Sequence, residues 1–257
     1  MTFCIAARVR EGIVALADTR IVKGGERLSK AKLALHLAPG GSFFTMTSGL
    51  RSIRDKLLIY GEEAMSSSKD EFTRLYQIVN LLGEQLRRVQ DEDGPALRQS
   101  NLTFNMHAIV GGRLSDDATP TLFLIYPEGN WIEINDDSPY FMIGRTPYGR
   151  PLLDRHLHAQ LPLRQASLLA LLAFDMTSTS VTDVDYPIDM AVMRSGGHDF
   201  SQCRFEQNQL RSVTDGWYQM MEQALHAAPT PWLDAILDDG RIPQTDDHAT
   251  DFRPQLS

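Results

Sequence analysis

The chain has 257 residues, of which 42% are hydrophobic and 23% charged, with a formal charge of −8 at pH 7. That length suits one large domain or two small ones, and the composition is that of an ordinary soluble globular protein. The acidic balance argues against non-specific nucleic-acid binding, and no apolar run reaches the ~20 residues of a membrane helix.

The opening MTFCIAARVREG lacks a basic segment followed by a long apolar run, so no signal peptide is expected. Cys4 and Cys203 form neither a disulfide framework nor a metal cluster, and a reducing cytoplasm is the default compartment. No metal or cofactor is expected either. His156 and His158 stand only two apart, and no His-Glu-x-x-His, GxGxxG or phosphate loop occurs.

Residues 2–10 and 13–18 are β-prone and apolar on more than one face, separated by Glu11-Gly12, which predicts a hairpin in a sheet covered by another layer. Two more strands are expected at Leu33–Leu37 and Ser42–Thr47, joined by Ala38-Pro39-Gly40-Gly41. Four strands before any helix suggest antiparallel pairing. Leu50, Ile53 and Leu57 begin a first helix that fades at Ser66–Lys69. Ser68 and Glu71 fit a capping box, after which Phe72, Leu75, Ile78, Leu82, Leu86 and Val89 predict an amphipathic helix ending at Asp91–Gly94.

A second β block covers Asn105–Gly111, Thr121–Tyr126, Trp131–Ile134 and Tyr140–Ile143. Its expected turns are Gly111-Gly112, Pro127-Glu128-Gly129 and Asp136-Asp137; Gly24-Gly25 and Gly196-Gly197 also look like hairpin turns. Helices follow at about 148–158 and 165–176, strands at Ile188–Met193 and Cys203–Phe205, and a helix at about 215–227. Two sheets alone leave the helices' apolar faces uncovered, whereas a helix layer on each outer side buries them. The expected fold is therefore α+β, a four-layer α-β-β-α sandwich in a single domain. Residues 229–257 are set apart as an acidic C-terminal arm, and residues 225–257 hold six Asp against Arg241 and Arg253.

Several residues can carry chemistry. Removal of Met1 would leave Thr2 with a β-hydroxyl beside a free α-amine, whose reference pKa of ~7.7–8 lets it accept a proton at neutral pH. Many chains begin Met-Thr; the strand starting at Phe3 adds weight because it fixes the terminus in a sheet. Asp18 closes an apolar strand whose hairpin brings it near Thr2, or else it is a turn residue beside Arg20. Lys32 precedes another strand, where burial would need a partner such as Asp18, or else it is a surface lysine like Lys30. Gly49 joins a strand to a helix, where its N–H could stabilise an oxyanion, or else it makes an ordinary turn. Arg8, Asp154, Arg155, Asp175 and Ser178 are polar residues beside apolar runs, and helix surfaces account for most of them. Cys4 reads as a buried thiol.

These blocks resemble a known family. Thr2–Ala6, Ile13–Arg20, Ala31-Lys32-Leu33 and Thr47-Ser48-Gly49 are similar to the start of proteasome β-subunits, most nearly the bacterial ancestral β-subunit (Anbu) branch. Tyr148–Arg155, and Phe174-Asp175 through Ser178 and Ser180 to Tyr186–Asp189, resemble that branch too, so the likeness covers about residues 2–195. The resemblance implies Thr2 as nucleophile with its own amine as base. It makes Asp18 and Lys32 the pair that tunes Thr2, Gly49 the oxyanion-hole amide, and Asp175 and Ser178 supporting groups. It implies the α-β-β-α fold, assembly of identical chains into a large ring or open spiral, and peptide or unfolded polypeptide as substrate, while charge and hydropathy argue for no nucleic acid or membrane partner. One departure stands out: Gly144-Arg145-Thr146 stands where the family has Gly-Ser-Gly, so the serine hydroxyl is missing unless Thr146 substitutes for it, and Arg145 is placed where it could block or reshape the site. Two alternatives accompany the threonine peptidase reading: an amidohydrolase of the same fold acting on a small molecule, and an assembly component without activity. Apolar helices at 50–65 and 70–90 also point to self-assembly.

Overall fold

The structure, a computed structural model, describes residues 2–23, 26–29, 31–38, 40–68 and 71–237. Strands β1 (Phe3–Val9) and β2 (Gly12–Asp18) form the expected hairpin, with Cys4 opposite Ala17 and Val9 opposite Gly12. Two short strands absent from the sequence reading follow, β3 (Arg20–Lys23) and β4 (Glu26–Ser29), paired only with each other. Their polar sequence shows no alternation to reveal them, and Gly24-Gly25 between them lies outside the described residues. Strands β5 (Leu33–Ala38) and β6 (Gly41–Gly49) match expectation.

Helix α1 (Arg51–Ser67) lies where the apolar spacing placed it, but α2 (Leu75–Gln99) is displaced in the C-terminal direction at both ends. The Ser68–Glu71 capping box is not used. Instead the Gln77 side chain accepts from the N–H groups of Thr73 and Arg74, both at 3.0 Å, and the helix starts behind them. At the far end α2 continues through Gly94 and Pro95. Tertiary contacts override the local signal there: Lys56 on α1 pairs with Glu92 and Asp93, Tyr60 donates to Glu92, and Leu97 packs on the core.

The second β block gives β7 (Met106–Arg113), β8 (Thr121–Ile125), β9 (Trp131–Glu133) and β10 (Tyr140–Gly144). Gly111-Gly112 is no turn. Both residues lie within β7, where a Cβ on Gly111 would come within 2.6 Å of the Phe44 ring. The glycines admit large side chains from neighbouring strands. Helices α3 (Arg150–His156) and α4 (Leu163–Ser180) precede β11 (Ile188–Arg194) and β12 (Ser201–Phe205), and α5 (Gln207–Ala227) and α6 (Pro231–Leu237) end the described chain.

The strands make two five-stranded antiparallel sheets, in the order β10-β1-β2-β11-β12 and β5-β6-β7-β8-β9. Strand β1 shows why its sequence is apolar throughout. Phe3, Ile5, Ala7 and Val9 pack with Ala170, Phe174 and Leu153 from α4 and α3, while Cys4 and Ala6 pack with Leu33, Phe44, Met46 and Ile109 of the other sheet. A third cluster joins Phe43, Val110 and Phe123 to Ile53, Leu57, Ile78 and Leu86 of α1 and α2. The apolar stripes of those two helices, expected to leave surface for a neighbour, are mostly consumed within the chain. By contacts the chain divides into two units, Met1–Arg211 and Ser212–Ser257. In the second, Met220, Leu225 and Trp232 are exposed.

Candidate active site

The start of β1 is held by three separate devices. The first is Asp18, the last residue of β2, which is fully buried. Its carboxylate accepts from the Phe3 N–H at 2.7 Å and from Lys32 Nζ at 2.8 and 2.7 Å. The Lys32 side chain is itself only 4% exposed. Burial pushes the Asp18 carboxyl above the ordinary carboxylate value, while the Lys32 ammonium and the Phe3 N–H pull against that rise. The expected pairing of Asp18 with Lys32 is thus present, immediately beside half-buried Thr2.

The second device is β10. Gly144 lies opposite Phe3, with φ at +89°, and a Cβ there would sit 1.8 Å from the Thr2 carbonyl oxygen. Only glycine admits the backbone this close. The next residue, Arg145, donates its N–H to that same oxygen at 2.8 Å. Its guanidinium is taken up by Asp183, with Nη2 at 2.9 Å and Nε at 3.3 and 3.4 Å from the carboxylate. Burial alone would raise the Asp183 carboxyl, but the bonds and charge of Arg145 outweigh it and hold the group below the usual range. Asp183 was missed by the sequence reading. Its signal was the pair of carboxylates in Asp183-Val184-Asp185, whose second member pairs with Arg20.

The third device is α4. Phe174 meets Phe3 edge-on, with ring centroids 5.7 Å apart, and the following residue Asp175 is buried. Ser178 and Thr179 both donate their hydroxyls to the Asp175 carbonyl at 3.0 Å. Gly49 ends β6 just before α1, with φ at +142°, and a Cβ on it would come 2.0 Å from the Asn105 carbonyl oxygen.

Among the weaker candidates, Arg8 pairs with Asp136 and Asp154 accepts from Tyr140, both away from Thr2 along β1, while Arg155 is exposed on α3. Cys4 is fully buried and burial pushes its thiol up, so it is no thiolate nucleophile. Among the described residues no group of three or more His, Cys, Asp or Glu side chains is placed to hold a metal ion, and no helix is long and apolar enough to cross a membrane.

No family model matches the chain, and no curated protein is similar to it. Solved structures are. An Anbu (Gly-1) mutant from Hyphomicrobium sp. strain MC1 is 30% identical over 90% of this chain and 99% of its own, with a TM-score of 0.81. Anbu (ancestral beta-subunit) from Yersinia bercovieri is 26% identical, covering 88% and 97% with a TM-score of 0.77. A structure described as the helical assembly of the Anbu complex from Pseudomonas aeruginosa is 25% identical, covering 89% and 98% with a TM-score of 0.80. The chain therefore belongs to the Anbu, or ancestral β-subunit, family, the proteasome-like branch that its first strand and its Asp18 and Lys32 blocks resemble.

Proposed function

We propose that this chain is a threonine hydrolase that cleaves peptide bonds with Thr2 as nucleophile once Met1 has been removed. The observation that carries the reading is the buried Asp18–Lys32 pair bound to the Phe3 N–H, because a charged pair in a core is costly and is retained where its field is used. The Lys32 ammonium disfavours protonation of the Thr2 amine, so the amine is free to accept the Oγ proton. Thr2 Oγ bonds to the acyl carbon, the C–N bond breaks, and the amine passes the proton to the leaving nitrogen. Water then cleaves the acyl ester, releasing the carboxylic acid and restoring the hydroxyl. The Gly49 N–H is the oxyanion donor, and Asp175 and Ser178 support the terminus from α4. Arg145, held by Asp183 and bonded through its N–H to the Thr2 carbonyl, positions the nucleophile in place of the family's serine.

The three core clusters support stacking of the elements as α-β-β-α, and exposed Met220, Leu225 and Trp232, with the helical assembly of the Pseudomonas aeruginosa relative, support self-assembly of identical chains. The test is covalent labelling by a β-lactone. Wild-type protein with a mass lacking Met1 is expected to take one label on Thr2, and the Thr2→Ala protein none. A processed wild-type protein that takes no label counts against Thr2 as nucleophile and favours the assembly-component reading. Undiminished labelling of Thr2→Ala places the nucleophile elsewhere.

A further inference from the structure

Beside the Asp18–Lys32 pair the second sheet opens into a trough. Ala34, His36 and Ala38 alternate along one face of β5, which Lys32 immediately precedes, and on β6 Thr45 lies opposite Ala34 and Phe43 opposite His36. Helix α1 forms the wall, presenting Leu58, Glu62 and Met65 at helical spacing. Two cavities lie along this floor. One of about 70 Å³ is lined by Lys32, Thr47 and Arg54, and one of about 550 Å³ by His36, Phe43, Met65, Ile78 and Leu82. Both are bounded by Ala34, Thr45 and Leu58, so these residues form the neck through which the large cavity adjoins the lysine.

Length and lining decide what fits. Four residue steps lead from Lys32 to His36, a run of about 13 Å, which is longer than any amino-acid side chain reaches. The larger cavity alone is within the size range of small-molecule sites. Its lining is mostly apolar, and its inner polar atoms are satisfied: His36 Nε2 and Thr45 Oγ1 bond to each other at 2.9 Å, and the His36 ring stacks on Phe43. Burial holds the His36 imidazole below its ordinary value, so it is neutral at pH 7 and offers no cation to an anionic ligand. Exposed Glu62 repels anions from the rim as well. Among the described residues the cations lining the small cavity away from the open surface are Lys32, paired to Asp18 at the Thr2 end, and half-buried Arg54, paired to Asp55, so neither is left to hold an anionic tail.

We propose that this trough binds an uncharged, unbranched aliphatic chain of about ten carbons, making long-chain N-acyl amides substrates, with the acyl carbonyl at Thr2 and the tail running past Ala34 to His36. This rests on the reading of Thr2 as nucleophile and goes beyond peptide hydrolysis. The reaction balances as the amide plus water giving the fatty acid and the free amine: Thr2 Oγ forms the ester as the C–N bond breaks, the amine leaves with the Oγ proton, and water releases the acid.

Binding and turnover test the two parts separately. In the first arm straight-chain carboxylic acids of about four to fourteen carbons are titrated calorimetrically into the full-length Thr2→Ala protein, where affinity is expected to rise about fourfold per methylene and level off near ten carbons. Ala34→Phe, at the neck and on an exposed position that accepts a ring without entering the core, is expected to remove this dependence, so that decanoate binds no tighter than butanoate. In the second arm wild-type protein is given the matching acyl aminocoumarin amides, and kcat/KM is expected to climb over the same lengths, mainly through KM. Affinity that does not change with length, or that rises equally in Ala34→Phe, overturns the trough whatever Thr2 does to peptides. Length-dependent binding with no turnover of any acyl amide overturns the substrate assignment, and β-lactone labelling then shows whether Thr2 is a nucleophile at all.

Discussion

The two ends of the β1–β2 hairpin each carry an ion pair 2.7 Å long, and the two differ in almost everything else. At the Thr2 end, the Asp18 and Lys32 side chains are 0% and 4% exposed, and the carboxylate also accepts a backbone N–H. At the other end, Arg8 and Asp136 are 22% and 75% exposed, at the mouth of a cavity of about 310 Å³ that Arg10 also lines. Equal distances hide unequal physics. In water the attraction is screened and the ordering of two side chains offsets most of it, whereas in the core the lost hydration exceeds the attraction unless further bonds are made. Closeness of opposite charges therefore does not mark a site. Burial of a charge that an apolar residue could have replaced does.

The comparison breaks or holds first on Lys32. Lys32→Ala leaves the Asp18 carboxylate buried with only the Phe3 N–H, and is expected to cost about 3–5 kcal/mol in urea unfolding. The double variant Asp18→Asn with Lys32→Met removes both charges and is expected to recover most of that loss while giving no β-lactone labelling. A Lys32→Ala cost below about 1 kcal/mol would put this pair in the same class as Arg8–Asp136.

Gly144→Ala comes next. The added methyl would have to clear a carbonyl oxygen 1.8 Å away from a backbone at φ +89°, so β10 must shift off Phe3. The expected loss is about 1–3 kcal/mol, with labelling of Thr2 reduced by more than that loss explains. A variant with wild-type stability and labelling would show that the Thr2 backbone is not held by β10.

Much of this arrangement was legible in the sequence, and what was not has physical causes. Continuous apolar runs marked β1 and β2, because both faces of both strands are covered, although Gly12 opens β2 and the turn is Arg10-Glu11. Asp18 and Lys32 stood out as charges at the ends of apolar strands. By contrast, nothing local says that β10 leaves the strands before it and pairs with β1, so the approach of Gly144 to Thr2 and the partnership of Arg145 with Asp183 were invisible. Gly111-Gly112 read as a turn because the need for glycine came from Phe44 and Leu122 on neighbouring strands. Asp91–Gly94 read as a helix end because the contacts that carry α2 past it belong to α1 and the core.

Arg145 lies between the two extremes. Its pair with Asp183 touches the site but is partly exposed, at 38% and 20%. Asp183 is held below its unfolded value, so its contribution is present above about pH 4 and is lost as pH falls through the depressed folded value. The difference in urea midpoint between wild type and Arg145→Ala is therefore expected to be small and flat from pH 5 to 8 and to shrink below pH 4. β-Lactone labelling at pH 7 is expected to fall severalfold, since the guanidinium no longer fixes the backbone that binds Thr2. Faster labelling in Arg145→Ala would assign the arginine a blocking role instead.

The smallest effect belongs to Arg8→Ala. The pair it breaks leaves Asp136 in water, so no charge is stranded, and the Arg8 N–H keeps its bond to the Pro139 carbonyl at 2.8 Å because the backbone is unchanged. What is lost is a screened attraction and some packing of the arginine stem, worth about 0.5 kcal/mol or less. At high salt, where the Debye length falls to about 3 Å, the charge part should vanish and leave only the packing. Labelling of Thr2 is expected to match wild type at every pH, because β1 is rigidly paired on both sides between Arg8 and Phe3. If Arg8→Ala instead cost several kcal/mol, or slowed labelling, the hairpin would be transmitting strain along its whole length. The contrast between its two ends would then describe exposure alone and not function.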